Sequence, residues 1–223
     1  MKTLVETILS RKLLDPKVAI CKWLDEYGIK NYTVNDKGEV NVDGGVNLSN
    51  YDLTEFPPFI QFGVVKGYFN CSCNSLISLR GAPNMVGGRF NCSYNHLTSL
   101  KGSPEKVNGS FFCNNNNLTS LKGAPKKVGG TFYCYRNNLT SLEGVPREVG
   151  RDFDCSYNDL TTLKGSPREI HTGFYCQYNK LTSLEGAPEV VGGEFICSHN
   201  KTQFTIEDVK NVCKVKHEIS IHV

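Results

Sequence analysis

From Phe69 onward the chain repeats one 21-residue phrase, whose fullest copies read F-x-C-S-x-N-x-L-T-S-L-x-G-x-P-x-x-V-G-G. Phe recurs at 69, 90, 111, 132, 153, 174 and 195, and Cys follows two residues later at every copy. A unit this short cannot bury its own apolar face, so it must stack on its neighbours. The fold class is therefore a repeat solenoid, and any function lies on a surface built from many coils.

Each position of the phrase has a physical job. In Arg89-Phe90-Asn91-Cys92-Ser93 the period of two points Phe90 and Cys92 inward and leaves Arg89, Asn91 and Ser93 outward, which defines a strand. Asn three residues after each Cys, from Asn74 to Asn200, bends the chain and bonds backbone groups of adjacent coils. Two leucines per coil, such as Leu97 and Leu100, turn back into the core. Gly81 and its equivalents up to Gly186 supply a turn that calls for positive φ, and Pro follows two residues later. Proline there disfavours a helix, so the return path reads as extended and helix-poor, closed by Val86 and its equivalents.

At this point the unit resembles a leucine-rich repeat, with Phe and Cys in place of the two strand leucines. The Leu-Thr-Ser-Leu and Pro-x-x-Val parts are similar to the short repeats of secreted bacterial effectors. The Gly-Gly turn and the Phe/Cys strand resemble more closely the uncharacterised leucine-rich-repeat proteins of large tailed bacteriophages. That resemblance covers residues 40 to 205 and implies a leucine-rich-repeat-like parallel sheet, but says little of function. Effector ubiquitin ligases with similar repeats carry a catalytic domain after them; here residues 206 to 223 follow the array, so ligase activity is not expected.

Four segments emerge. Residues 1–30 read as a helical N-terminal cap, one helix over Lys2 to Leu14 and a second opened by Pro16 and stopped at Gly28. Residues 31–68 hold a hairpin, Tyr32-Val34 with Glu39-Val42, and a degenerate first repeat starting at Val46. The array proper runs over 69–205, and 206–223 form a C-terminal cap with a helix from Ile206 to Val215 and a strand from Glu218 to Val223.

Bulk properties narrow the field. A net charge of +3 gives no general attraction to nucleic acid or an anionic membrane. Seven of ten cysteines occupy one inward position, where parallel side chains lie beside each other; they read as buried free thiols. No cofactor is expected, nor a metal, since zinc needs clustered ligands at short spacings. No segment approaches a membrane span and no apolar leader opens the chain, so the expected location is cytoplasmic, the host cytoplasm if the protein is phage-encoded.

Information about function is confined to outward positions. The middle outward residue of the strand reads Asn70, Asn91, Phe112, Tyr133, Asp154, Tyr175, Ile196 along the array. Just beyond the strand come Tyr94, Asn115, Arg136, Tyr157, Tyr178 and His199. Tyr and Arg on a surface have the composition of an interface hot spot. We therefore expect a protein-binding patch centred on Phe112, Tyr133, Tyr135, Arg136 and Tyr175, bordered by Tyr94, Asp154, Tyr157, Tyr178 and Ile196.

Other readings compete with this one. Aromatic residues also suit strands for cross-strand packing alone. Asp152 and Asp154, two apart on one face, could do acid/base work or hold a cation, but no nucleophile with a partnered base accompanies them, and the chain reads as non-enzymatic. Lys101, Lys106, Lys122, Lys126 and Lys127 could meet a nucleic acid whose bases stack on Tyr, yet Glu105, Glu143, Glu148, Glu169 and Glu185 alternate with them. The expected partner is thus a host or viral protein. A binder of single-stranded nucleic acid, nucleotide or glycan, or a self-assembling structural protein, is the alternative.

Overall fold

The structure, a computed structural model, describes residues 15–221. Within them the chain winds as a parallel β-solenoid whose coils repeat every 21 residues through the array. The front sheet has nine strands, from Val46–Asn47 through Phe69–Asn70 and the equivalent pairs to Ile219–Ser220. Phe and the residue after it form each two-residue strand of the array, Phe inside and its neighbour outside. Front-strand N–H groups donate to the following coil, as in Phe90 N–H to Ser110 O at 2.9 Å and Cys92 N–H to Phe112 O at 2.9 Å.

The return path is extended and helix-poor, and it is more than that. Residues such as Met85–Val86, Lys127–Val128 and Val190–Val191 pair in parallel to build a second sheet of ten strands along the back. From Met85–Val86 to Val190–Val191 only one residue per back strand, the Val or Ile, faces the core. A file with one inward residue shows no alternation in sequence, which is why it reads there as extended chain without a ladder.

Between the sheets lies a core of identical layers. The rings of Phe69, Phe90, Phe111, Phe132, Phe153 and Phe174 stack with centroids 5.2–5.8 Å apart and planes 6–14° from parallel. Each of these side chains is fully buried, as are the Leu pairs beside them. All ten cysteines are free; the seven of the ladder are buried, and those of the central coils donate S–H to the next coil's carbonyl, as in Cys113 to Tyr133 O at 3.4 Å. Burial drives the thiol of Cys92 well above its ordinary pKa, so it stays protonated.

The Asn file ties these layers together. Nδ2 of Asn137 donates to the carbonyls of Cys134 (3.0 Å) and Cys113 (3.1 Å), and its Oδ1 accepts from the N–H of Leu118 at 3.0 Å. The same set recurs at Asn95, Asn116, Asn158 and Asn179.

Both ends are covered. Helix α1, Pro16–Glu26, opens on Asp15, whose side chain accepts from Lys17 N–H, and packs Trp23 edge-on to Phe62 at 6.4 Å. The hairpin of Tyr32–Val34 and Glu39–Val42 forms antiparallel as read and joins the back sheet. Helix α2, Ile206–Val212, is opened by a capping box between Thr205 and Asp208 and buries Val209. It is shorter than the sequence reading: Lys214–Val215 leave the helix to extend the back sheet. The helix read over Lys2 to Leu14 and the last two residues of the C-terminal strand lie outside the described residues.

Candidate functional site

The structure sorts the ten candidate residues onto two adjoining surfaces. Phe112, Tyr133, Asp154, Tyr175 and Ile196 stand on the front strands, with Tyr135 two residues beyond Tyr133. Tyr94, Arg136, Tyr157 and Tyr178 occupy the corner where each front strand turns toward the leucines.

On the front, the aromatic side chains are half-buried because they lean on one another or, for Tyr175, on the backbone. Phe112 and Tyr133 stack at 5.0 Å, Arg89 lies over the other face of Phe112 at 5.7 Å, and Tyr135 meets Tyr133 edge-on at 5.7 Å. Tyr175 folds across Gly173, where a Cβ would come within 2.3 Å of its hydroxyl oxygen, and reaches Glu194 at 3.4 Å. Burial, then the charges of Asp152 and Glu194, push the phenol of Tyr175 up to about 12; burial and Asp152 raise that of Tyr133. Both hydroxyls therefore remain protonated donors at neutral pH.

Two kinds of coil are distinguished on this face. Where the outward residue is polar, Ser follows two residues later and closes a turn: the N–H and hydroxyl of Ser93 donate to Asn91 Oδ1, and those of Ser156 to Asp154 Oδ1 at 2.9 and 2.6 Å. Where it is aromatic, that place holds Asn114, Tyr135 or Gln177. Gln177 Oε1 is buried without a hydrogen-bond partner.

Asp152 and Asp154 are tied to separate tasks. Asp152 accepts from Gly173 N–H at 2.9 Å and from the Thr131 hydroxyl at 3.2 Å, while desolvation raises the pKa of Asp154 against the pull of Ser156. Among the described residues no group of three or more His, Cys, Asp or Glu side chains is placed to hold a metal ion. Nor is any described helix long and apolar enough to cross a membrane.

The corner holds a feature that sequence patterning does not reveal. Residues Asn50, Cys73, Tyr94, Asn115, Arg136, Tyr157, Tyr178 and His199 all have left-handed backbone, with φ between 52° and 60°. Asn and His are enriched in that region, whereas bulky residues there are outliers. Along this file Arg136 lies over Tyr157 at 5.2 Å, Tyr157 stacks on Tyr178 at 4.3 Å, and Tyr178 on His199 at 4.2 Å. Tyr94, Tyr157 and Tyr178 remain 52%, 40% and 40% exposed. The available signal was the variable residue directly before each ladder Asn, a place where Asn50 and Asn115 show what the backbone prefers. Arg89, His199 and Gln177 join the two surfaces without having been among the candidates.

The lysines sit elsewhere, along the back and the turn that follows the leucines. Lys122 pairs with Glu143 at 3.1 Å, Lys127 with Glu148 at 2.5 Å, and Lys164 with Glu185 at 2.9 Å, each one coil away. A groove of about 470 Å³ on the back is lined by the same mixture, Lys127 and Arg147 beside Glu148 and Glu169. Comparison of the chain with models of known protein families gives no match, and comparison with curated protein sequences gives none either.

Proposed function

We propose that this chain is a non-enzymatic protein-interaction module that binds a partner protein through its front strand face. The observation that carries the reading is the ordered aromatic cluster of Phe112, Tyr133 and Tyr135, fixed by stacking, with Tyr175 folded across Gly173 two coils on, all on a rigid parallel sheet. Side chains already held in place lose little entropy on binding, and Tyr with Arg are the residues that dominate interface energy. Seven strands of the array make a face about 30 Å long, enough for one interface of about 800 Å² per partner.

By its resemblance to tailed-phage repeat proteins, the partner is a host or viral protein in the bacterial cytoplasm, and steric occupancy of a defence or regulatory protein is the mode of action. The competing reading, stacking of nucleic-acid bases, is weakened by the same geometry: the ring faces of Phe112 and Tyr157 are already covered by their neighbours. The paired lysines weaken it further.

The test is capture from a bacterial host lysate by the full chain beside a folded Tyr133→Ala, Tyr135→Ala, Tyr175→Ala variant, with mass spectrometry of retained proteins. A protein held by the parent and lost from the variant is the expected result. Equal capture by both would move binding off the front face, and a retained nucleic acid with steep salt dependence would replace the protein reading.

A further inference from the structure

The corner file has chemistry of its own. Asn is well tolerated in left-handed backbone, and Asn50 and Asn115 occupy the file without penalty. Arg136, Tyr157 and Tyr178 hold the same conformation against their steric preference, with φ of 52–53°. Strain kept at neighbouring surface positions points to use of the side chains there.

Around the stack the basic side chains of Arg136, Lys180 and Lys201 stand against the single carboxylate of Asp159. Lys122, Lys127, Lys164 and Arg168 each meet a carboxylate one coil away. The guanidinium of Arg136 lies on Tyr157 and makes no ion pair among the described residues. On the adjoining file Asp159 is already bridged by Lys180 at 2.6 Å, and Lys201 stands exposed beyond it.

We propose that the corner stack of Arg136, Tyr157, Tyr178 and His199 is the docking line for an extended acidic segment of the partner protein. Carboxylates of the segment meet Arg136, and its side chains pack on the edges of the rings. This rests on the protein-binding reading above and assigns the chemistry of the partner. With ring faces 4.2–4.3 Å from their neighbours, there is no room for a planar base to enter between Tyr157, Tyr178 and His199. The stack crosses four coils, roughly 14 Å, which matches about four residues of extended chain.

The experiment is fluorescence anisotropy on the full chain at low salt with three labelled probes: a 12-residue peptide alternating Glu and Ser, its Gln-Ser counterpart, and a 12-nucleotide oligothymidine. The variants are Arg136→Asn and the double Tyr157→Asn, Tyr178→Asn, since Asn fits the left-handed backbone; circular dichroism confirms that they fold. The parent should bind the acidic peptide at least fivefold more tightly than the neutral one. Arg136→Asn should abolish that preference, the double variant should weaken binding at least fivefold, and Tyr133→Ala should leave it unchanged. Equal binding of the two peptides, no binding of either, or oligothymidine binding lost in the same variants would each overturn the assignment. Front-face capture is read with a different variant, so its result stands or falls separately.

Discussion

Tyr157 and Asn158 are neighbours with opposite duties. An Asn of the ladder satisfies backbone groups of two coils. Asn137→Ala should orphan the N–H of Leu118, while the carbonyls of Cys113 and Cys134 keep Asn116 and Asn158 as donors, and so should cost about 1–3 kcal/mol, read by urea unfolding. Tyr157→Asn forfeits ring stacking of about 0.5–1.5 kcal/mol but relieves left-handed strain of about 1–2 kcal/mol, so stability should change little. Equal losses in the two variants would contradict this division. Asp154 gives a pH signature: its folded pKa lies above the unfolded value because of desolvation, so its ionised form weakens the fold. Asp154→Asn, which keeps the bond to Ser156 as Asn91 does to Ser93, should therefore raise the melting temperature at neutral pH. The gain should shrink as pH falls through the folded pKa and vanish below the unfolded one. The Asn file was legible in the sequence because identity and period coincide. The corner was not, since Tyr94, Tyr157 and Tyr178 announce a surface residue and nothing in their identity announces positive φ.

At the scale of the element, the front strand was readable from the Phe-x-Cys alternation, and the second sheet was not, because Val128 and its equivalents contribute one inward residue each. The close fit of the back turn shows in Gly150, where an added Cβ would lie 2.1 Å from the carbonyl oxygen of Gly129. Gly150→Ala must push two coils apart and should cost about 1–3 kcal/mol, comparable to overpacking a core. Phe132→Ala, which opens a gap in a column of stacked rings, should cost about 3–5 kcal/mol. Thermal unfolding of both variants checks the order. The candidate surface was legible only as a list: the sequence named Arg136 and Tyr133 together, whereas the turn at Tyr135 sends one to the corner and the other to the front.

For the whole molecule, in-register pairing such as Phe132 with Phe111 and Phe153 makes the coil an exchangeable unit. Deleting Phe132 to Asp152, one full period, should leave a folded solenoid with a lower melting temperature, visible by circular dichroism. The same deletion removes Tyr133, Tyr135 and Arg136 and should abolish capture by the front face. Joined coil to coil by short parallel ladders and capped by α1 and α2, the chain also has a mechanical direction. Pulled by its two ends, it would peel from one cap a single winding at a time, each release lengthening the tether by about 65–70 Å. Its resistance to force would thus be set by the weaker of the two caps, and a partner lying across several coils would act as a clasp.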